Sequence, residues 1–331
     1  METSKVYDVL IVGGGPAGLA AATTLVRQLH TVLIIDSGEY RNAAAQRMHL
    51  VPGFDHQDPA VFRAKIRADL ETRYSDFVDF RSAKVIKAAG VEGKNHGFEL
   101  TDDRGKVYKS RTVILANGVR DKVEEMPDGF KECYGRGVFH CLFCHGFEER
   151  SCDSAGVLTG GLIQSKQMLM HVIPNAMRLS KHIVLYTNGN ETIEADAKSI
   201  IPPSSASHIT TDSRVITNLA LVNDGPKVKI TFADGTSKTE GFVASHPNVE
   251  HHEPSLAKQL GLDVGPMMDI KLNGPFNATN VPGVFAGGDA ATPMRNVMQA
   301  LHMGGFAGAG CVSSLQQDML RAGTLYYSQK E

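Results

Sequence analysis

The N-terminal part of the chain has a strand, glycine-turn and helix pattern that is typical of dinucleotide-binding folds. An apolar run over 8–12 leads into the glycine turn 13–18, and an alanine-rich run follows over 19–25. This order forms the first βα unit of a Rossmann fold. A second apolar run over 31–35 ends in Asp36, about 20 residues after the glycines, where an acid accepts hydrogen bonds from a ribose. The sequence therefore predicts an α/β domain that binds a dinucleotide.

The glycine turn has the small residues that this fold requires. Gly13 permits the tight turn, Gly15 lets the backbone approach a pyrophosphate, and Gly18 allows the helix to pack closely on the strand. The positive end of the helix dipole then faces the phosphates. The predicted cofactor contacts in this turn are Gly13, Gly14, Gly15, Pro16, Ala17 and Gly18.

A second motif, near the middle of the chain, spaces two cysteines for redox chemistry. Cys141 and Cys144 are separated by two residues, so they can close a small disulfide ring and exchange electrons with thiols and flavins. The alternative is half of a zinc site, which normally needs a second pair of ligands. His140 and His145 could complete such a set. We expect a redox pair and no metal site.

Composition and charge exclude several classes of partner. With 331 residues the chain is long enough for two domains, and its net charge of -2 favours neither nucleic acid nor an anionic membrane. It has no run of about 18 apolar residues that would span a membrane. The polar stretch 1–7 lacks the apolar region of a secretion signal. We expect a cytoplasmic protein with neither a nucleic-acid nor a membrane partner.

Segments outside the first turn resemble FAD-binding segments of the two-domain flavin disulfide reductases. Residues 279–290 resemble the second FAD fingerprint, in which a short strand presents Asp289 to the ribityl chain. Residues 113–118 resemble the strand that returns beneath the flavin, with Asn117 in place of the usual Thr. The resemblance implies FAD as the cofactor. Beside the turn and Asp36, the contacts it implies are Ser37, Arg41, His49, Ala116, Gly288, Asp289, Asn296 and Val297.

Three of these residues have specific implied roles. Arg41 follows the ribose acid and can reach the adenosine phosphates. His49 lies in a loop that resembles the one beside the isoalloxazine, and it is either a flavin contact or a surface histidine. At Asn296 a helix begins whose backbone N–H groups can stabilise negative charge on a reduced flavin.

The two parts of the FAD region are separated by an insertion that contains the cysteine pair. This layout resembles the low-molecular-weight thioredoxin reductases over nearly the whole chain. We expect an α/β fold with two Rossmann-like domains. A discontinuous FAD domain covers 1–120 and 245–331, and a central domain covers 121–244. The resemblance also implies a homodimer.

The central domain lacks the residues that bind NADPH in that family. Its glycine turn, 155–164, places Leu162 or Gln164 where a small residue is needed. The segment 187–190 follows the next strand and has neither arginines for a 2′-phosphate nor an acid for a ribose. We expect this domain to have lost tight nicotinamide binding, so that reduced flavin passes its electrons to oxygen.

Four segments together resemble those of the fungal gliotoxin-type dithiol oxidases: 141–144, 146–150, 186–190 and Arg41-Asn42. That family has a thioredoxin reductase fold and closes the transannular disulfide of epipolythiodioxopiperazine toxins with FAD and oxygen. The resemblance implies an enzyme that oxidises a small cyclic dithiol and reduces O2 to H2O2. The alternatives are an NADPH-dependent disulfide reductase and a non-enzymatic redox switch.

The same analogy implies roles around the cysteine pair. Cys141 faces the substrate and Cys144 the flavin, and the two form a disulfide in the resting enzyme at the N-terminal end of a helix. His145 and His140 are the nearest groups that change charge near neutral pH, because histidine has an unperturbed pKa of about 6.5. Either imidazolium could lower a cysteine pKa. For His140, a packing role and a catalytic role explain its place in the sequence equally well.

Overall fold

The computed structural model describes residues 5–91 and 97–325. Residues 1–4, part of the stretch on which the expected lack of a secretion signal rests, lie outside the described residues. The strands are β1 Val6–Val12, β2 Val32–Asp36, β3 Val78–Ser82, β4 Val85–Val91, β5 Gly97–Asp102, β6 Val107–Leu115, β7 Val119–Asp121, β8 Val138–Phe139, β9 Ala155–Leu158, β10 Ile183–Tyr186, β11 Ile209–Asp212, β12 Ile216–Leu221, β13 Val228–Phe232, β14 Ser237–Glu240, β15 Val243–Ala244, β16 Val249–His251 and β17 Val284–Ala286. The α-helices are α1 Pro16–Val26, α2 Pro59–Arg73, α3 Phe130–Cys133, α4 Lys166–Leu179, α5 Glu191–Ile200, α6 Ser255–Gln259 and α7 Val297–Arg321.

The chain folds into two compact units, each made from more than one segment. The first unit contains residues 1–41, 60–120 and 250–331, and the second contains residues 42–59 and 121–249. Each unit has a sheet built around parallel strands, with helices packed on it, so the predicted α/β class with two Rossmann-like parts is confirmed.

The segment 42–59 groups with the second unit, whereas the sequence-based boundaries place it in the first domain. This segment packs closely against residues of the second unit: a Cβ at Gly135 would lie only 3.0 Å from the carbonyl oxygen of Ala44. The second unit also continues to 249 rather than 244. Beyond β15, the N–H of Ser245 still donates to the carbonyl oxygen of Phe139 at 3.0 Å.

The sheet of the first unit has the order β3-β2-β1-β6-β5-β4, and β17 also pairs with β6. Strands β1, β2, β3, β6 and β17 run parallel, while β4 and β5 extend the sheet in antiparallel fashion. Successive residues of β1 enter different clusters of the core, Leu10 one and Ile11 the other. A strand buried on both faces reads as a continuous apolar run, which is why the sequence reveals it clearly.

Helices α1 and α7 of the first unit pack through small residues. A Cβ at Gly304 would lie 2.1 Å from the carbonyl oxygen of Ala17, and one at Gly308 would lie 2.8 Å from that of Ala21. The backbones therefore approach as closely as glycine allows, and α7 holds the helix that begins at the glycine turn. Among the described helices, none is both long and apolar enough to cross a membrane.

Asp8 joins the start of β1 to its neighbours through its carboxylate. It accepts hydrogen bonds from the N–H of Thr31 at 2.9 Å and from Arg111 at 3.2 Å. Burial alone would raise the pKa of Asp8, but the interactions with His30, Thr31 and Arg111 outweigh it and lower the pKa to about 2. The ionised carboxylate therefore stabilises the folded state.

We expect Asp8→Asn to reduce the free energy of unfolding by about 2 kcal/mol at pH 7. Because the pKa in the folded state lies below the ordinary value of 3.8, this stabilisation is complete above that pH and declines as the pH falls towards 2. Urea titrations at pH 7 and pH 3 would measure the effect. The control is Asp69→Asn, whose exposed carboxylate pairs with Lys65, and it should behave as the wild type does. Equal stability of the two variants at pH 7 would contradict the assignment.

The second unit contains a parallel sheet of order β11-β10-β9-β15-β8 and an antiparallel sheet of order β12-β13-β14. Leu169 of α4 and Ile193 of α5 are fully or almost fully buried with Val157 of β9 and Leu185 of β10. The loops after these parallel strands meet at one edge of the sheet, which is where this fold class binds its ligands.

Candidate active site

The glycine turn of the first unit lies against the end of β6. Gly13 has φ of 105°, and a Cβ there would lie 2.4 Å from the carbonyl oxygen of Ala116. A Cβ at Gly18 would lie 2.0 Å from the carbonyl oxygen of Gly13. Backbone atoms leave no room for a side chain at either position, so only glycine fits.

Gly14 and Gly15 have different surroundings. A Cβ at Gly14 would lie 2.4 Å from Oδ2 of Asp36, so the turn and the end of β2 are adjacent. At Gly15 a Cβ would have no atom within 4 Å. Gly15 precedes α1, which has Pro16 in its first turn and no side chain capping its N–H groups. Open space thus lies before a helix N-terminus, and such an arrangement suits a phosphate.

The carboxylate of Asp36 is held by its own loop. It accepts hydrogen bonds from the N–H of Gly38 at 3.2 Å and from the hydroxyl of Tyr40. Burial, followed by the bond to Asp36, raises the pKa of Tyr40 to about 12. The Ser37 hydroxyl accepts a bond from the N–H of Glu39 at 3.3 Å. These contacts fix the loop at the position predicted for the ribose.

Arg41 and Asp289, which the sequence assigns to different parts of FAD, form an ion pair. Nη1 of Arg41 lies 3.2 Å from Oδ2 of Asp289, and both side chains are largely buried. The preceding Gly288 has φ of 70°, and a Cβ there would lie 2.8 Å from the Cβ of Ala17. The structure therefore brings the second fingerprint to the start of α1. The ion pair was not predicted.

The remaining predicted contacts of the first unit lie at the ends of β6 and α7. The side-chain oxygen of Asn117, which follows Ala116, is buried and has no hydrogen-bond partner within the described residues. Asn296 caps α7, because its Oδ1 accepts a bond from the N–H of Gln299 at 2.8 Å, and Val297 is the first helical residue. One helix N–H is thus already satisfied.

The cysteine motif lies in the second unit and forms a disulfide between Cys141 and Cys144. The N–H of His145 donates to the carbonyl oxygen of Cys141 at 3.1 Å, which closes a single turn. The expected helix is absent at 141–150, where the described backbone forms turns and bends, and Gly146 adopts φ of 96°. The expectation of a helix N-terminus is therefore wrong, and a helix dipole does not act on these sulfurs.

The two flanking histidines have different environments. The ring of His145 stacks on Phe139 with centroids 5.0 Å apart. Burial, and then the nearness of His49, lower the pKa of His145 to about 4, so it is neutral at pH 7. The ring of His140 stacks on Tyr134 at 5.6 Å. An imidazolium at His145 is therefore not the group that lowers a cysteine pKa at neutral pH.

His49 is placed beside the disulfide in the second unit. Its Nδ1 lies 2.7 Å from the carbonyl oxygen of Cys144, and its Nε2 lies 3.2 Å from Nδ1 of His56 and 3.4 Å from Oε1 of Glu148. The sequence analysis did not assign His56 or Glu148. No spacing pattern in the sequence identifies them, because their contacts join segments that are distant along the chain. His49 and Cys144, for example, are 95 positions apart.

The loops at the carboxyl edge of the central sheet are occupied by structural contacts. The N–H of Leu162 donates to the carbonyl oxygen of His246 at 2.7 Å. Asn188 accepts a bond from the N–H of Ile216 at 2.7 Å, and Asn190 caps α5 by accepting from the N–H of Ile193 at 3.1 Å. The segment after β10 therefore uses the side-chain oxygens of Asn188 and Asn190 to hold the fold, whereas the buried hydroxyl of Thr187 has no hydrogen-bond partner within the described residues.

Comparisons with known proteins identify the family. The sequence matches the model of the pyridine nucleotide-disulphide oxidoreductases over residues 7–164. Thioredoxin reductase tcpT of Claviceps purpurea (strain 20.1) is 39% identical over 319 residues, which cover 96% of this chain and 97% of that protein. The chain is a thioredoxin reductase-like member of the pyridine nucleotide-disulphide oxidoreductase family.

Two further proteins are similar to this chain over nearly its whole length. Thioredoxin reductase aclD of Aspergillus oryzae (strain ATCC 42149 / RIB 40) is 37% identical over 95% of this chain and 98% of its own length. The crystal structure of HlmI matches with a TM-score of 0.84 at 25% identity, covering 97% of this chain and 96% of that one. The predicted thioredoxin reductase-like fold is therefore confirmed.

Proteins of this family carry FAD, and the residues of this oxidoreductase fit it. The open space at Gly15 before α1 suits a pyrophosphate, and Asp36 ends β2 beside the glycine turn, where a ribose would lie. The unpartnered oxygen of Asn117 can accept a hydrogen bond from a ligand N–H. The residues of the first unit thus fit the FAD that the sequence motifs predict there.

Proposed function

We propose that this protein is an FAD-dependent dithiol oxidase. Its substrate is a small cyclic dithiol of secondary metabolism, such as the precursor of an epipolythiodioxopiperazine, in which it closes a transannular disulfide. Oxygen is reduced to H2O2 in the same cycle. The protein acts as a cytoplasmic homodimer, as its resemblance to the gliotoxin-type enzymes implies.

The observation that carries the proposal is the structural use of the loop after β10. A nicotinamide-dependent relative needs groups there for the ribose or its 2′-phosphate. Here the side-chain oxygens of Asn188 and Asn190 hold backbone N–H groups. The nearby Arg214 is bound by Asp212, with Nε 3.0 Å from Oδ1. These contacts favour entry of electrons through the cysteine pair.

The cysteine pair performs the sulfur chemistry by thiol–disulfide exchange. A substrate thiolate attacks Cys141, which forms a mixed disulfide and releases Cys144 as a thiolate. The second substrate thiolate then attacks the substrate sulfur in that mixed disulfide, which closes the substrate ring and releases Cys141. Two electrons have now moved from the substrate to the protein, and the substrate's two thiol protons are released. His140 and His145 are adjacent in sequence to the cysteines; because burial lowers the pKa of His145 to about 4, we assign acceptance of these protons to His140.

The surface around the motif suits a small apolar substrate. Phe143, between the two cysteines, has 61% of its surface exposed, and Phe147 has 62%. Exposed aromatic side chains beside a reactive group provide apolar contact area for a ring. FAD, held by the glycine turn 13–18 and Asp36, would supply the acceptor for the two electrons of the protein dithiol and their donor to oxygen. With those electrons removed, Cys141 and Cys144 form their disulfide again.

The direction of electron flow can be tested with the purified FAD-loaded protein. We expect dithiothreitol, or a cyclic dipeptide dithiol, to bleach the flavin absorbance under anaerobic conditions, whereas NADPH does not. In air, the same dithiols should give H2O2 over many turnovers, measured with an oxygen electrode and a peroxidase-coupled dye. The control is a monothiol of similar size, which cannot form an intramolecular disulfide.

Each alternative function predicts a different result. Bleaching by NADPH at a catalytic rate would establish a nicotinamide-dependent disulfide reductase; the relatives tcpT and aclD are named thioredoxin reductases. Oxidation of only one equivalent of dithiol per protein chain, without repeated turnover, would indicate a redox switch. Either result would replace the oxidase proposal.

A further inference from the structure

A cluster of three potential metal ligands lies beside the disulfide in the second unit. It consists of His49 and His56, which belong to the segment 42–59, and Glu148, which follows the cysteine motif. Nε2 of His49 lies 3.2 Å from Nδ1 of His56 and 3.4 Å from Oε1 of Glu148. Nδ1 of His56 lies 3.8 Å from the same carboxylate oxygen. We call these residues the His49 cluster.

The geometry of the His49 cluster matches the coordination of a divalent metal ion. A triangle with sides of 3.2, 3.4 and 3.8 Å has a centre about 2.0 Å from each corner. Zinc–nitrogen and zinc–oxygen bonds have lengths of about 2.0–2.2 Å. Two imidazole nitrogens and one carboxylate oxygen form a ligand set used by zinc sites that keep a position open.

A contact of His49 orients it for this role. Its Nδ1 lies 2.7 Å from the carbonyl oxygen of Cys144, which can only accept a hydrogen bond. Nδ1 therefore carries the proton, and Nε2 presents its lone pair to the other two ligands. Metal-binding histidines commonly donate their second N–H to a backbone carbonyl in this way, because the bond fixes both the tautomer and the ring orientation.

The position of the His49 cluster leaves it accessible to an ion and to a further ligand. The side chain of His49 is 14% exposed, whereas those of His56 and Glu148 are 60% and 40% exposed. His49 is thus held in place by packing, whereas the exposed side chains of His56 and Glu148 can move to bind an ion from solution. A fourth ligand can approach from the same exposed side.

We propose that His49, His56 and Glu148 form a binding site for Zn²⁺ with one open coordination position. Water occupies that position in the absence of substrate, and a thiolate sulfur can replace it, because zinc binds thiolates strongly. Since His49 is hydrogen-bonded to Cys144, a thiolate on the ion would be held beside the protein disulfide. This use of the site rests on the proposed dithiol oxidase function, whereas binding of the ion does not.

The binding test uses the FAD-loaded protein in its oxidised state, in which Cys141 and Cys144 are bonded to each other. After removal of metals with a chelator, Zn²⁺ is titrated in competition with a chromogenic zinc indicator. We expect one ion per chain in the wild type and at least a tenfold higher Kd in His56→Ala and in Glu148→Gln. The matched control is His208→Ala, because His208 is exposed and its Nδ1 also lies near a backbone carbonyl oxygen, at 3.2 Å. It should bind as the wild type does.

A second measurement reports the coordination directly. Replacing Zn²⁺ by Co²⁺ should give the visible difference absorption of a four-coordinate ion in the wild type and in His208→Ala, and a loss of that absorption in His56→Ala. Absence of saturable Zn²⁺ binding in the wild type would overturn the proposal and leave only a hydrogen-bonded histidine pair. Equal affinity in all four proteins would also overturn it. Neither measurement uses a dithiol or oxygen, so failure here is distinct from failure of the proposed oxidase activity.

Discussion

Cys144→Ser is expected to reduce turnover with a small dithiol by at least about a thousandfold. In the wild type the sulfurs of Cys141 and Cys144 form the disulfide that a substrate thiolate attacks. With serine at 144 this disulfide cannot form, so the substrate has no sulfur–sulfur bond to attack and no electrons enter the protein. Oxygen uptake with excess dithiol measures the loss, and flavin absorbance under anaerobic conditions shows whether electrons still arrive.

Cys152→Ser is the matched control for this experiment. Cys152 is a partly buried free thiol of the same unit, and it lies outside the disulfide. Its replacement should leave oxygen uptake within about twofold of the wild type, because a conservative substitution away from the reacting atoms has little effect on stability or turnover. Normal turnover by Cys144→Ser would disprove the exchange scheme and would require dithiols to reduce the flavin without the cysteine pair.

Gly15→Ala should raise the Kd for FAD at least tenfold while the protein still folds. The added Cβ would meet no protein atom within 4 Å, and the φ of -75° suits alanine. The fold therefore has no reason to change. The methyl group would instead enter the open space before α1, where the pyrophosphate is expected to approach the backbone most closely. Titration of FAD-free protein with FAD, followed by flavin fluorescence, measures the affinity.

Two other glycines separate loss of cofactor from loss of fold. A Cβ at Gly18 would lie 2.0 Å from the carbonyl oxygen of Gly13, so Gly18→Ala should destabilise the unit by about 3 kcal/mol or more. A Cβ at Gly90, in β4, would meet nothing within 4 Å, so Gly90→Ala should keep both affinity and stability. Thermal unfolding of the FAD-free proteins provides the comparison. FAD binding by Gly15→Ala as tight as that of the wild type would show that the pyrophosphate lies elsewhere.

The FAD motifs were predictable from sequence because their signals are local. The turn at Gly13 lies between two continuous apolar runs, and strands buried on both faces have that pattern. The requirement for glycine at Gly18 follows from a backbone contact with Gly13 inside one βα unit, whereas the contact that requires glycine at Gly13 is with Ala116 at the end of β6. Convergence of the second fingerprint on the start of α1 was implied by resemblance, and the approach of Gly288 to Ala17 agrees with it.

The surroundings of the disulfide were not predictable, because they depend on contacts between distant segments. The sequence placed His49 in the FAD domain, yet its Nδ1 contacts the carbonyl oxygen of Cys144, 95 positions away. The same reason applies in the first unit to the ion pair of Arg41 with Asp289, which joins residues 248 positions apart. The helix expected after the cysteines came from family analogy, and Gly146 in the left-handed region ends the single turn there.

The packing of α7 on α1 determines the order in which the protein can fold during synthesis. The first unit needs β17 and α7, which lie near the C-terminus, to complete a sheet that begins at β1. The second unit needs only residues up to 249. At about 5–20 residues per second, the ribosome takes roughly 4 to 14 s to extend the chain from residue 249 to the end of α7 at Arg321. The cysteine-containing unit can therefore fold first, while β1, α1 and β2 wait for β17 and α7.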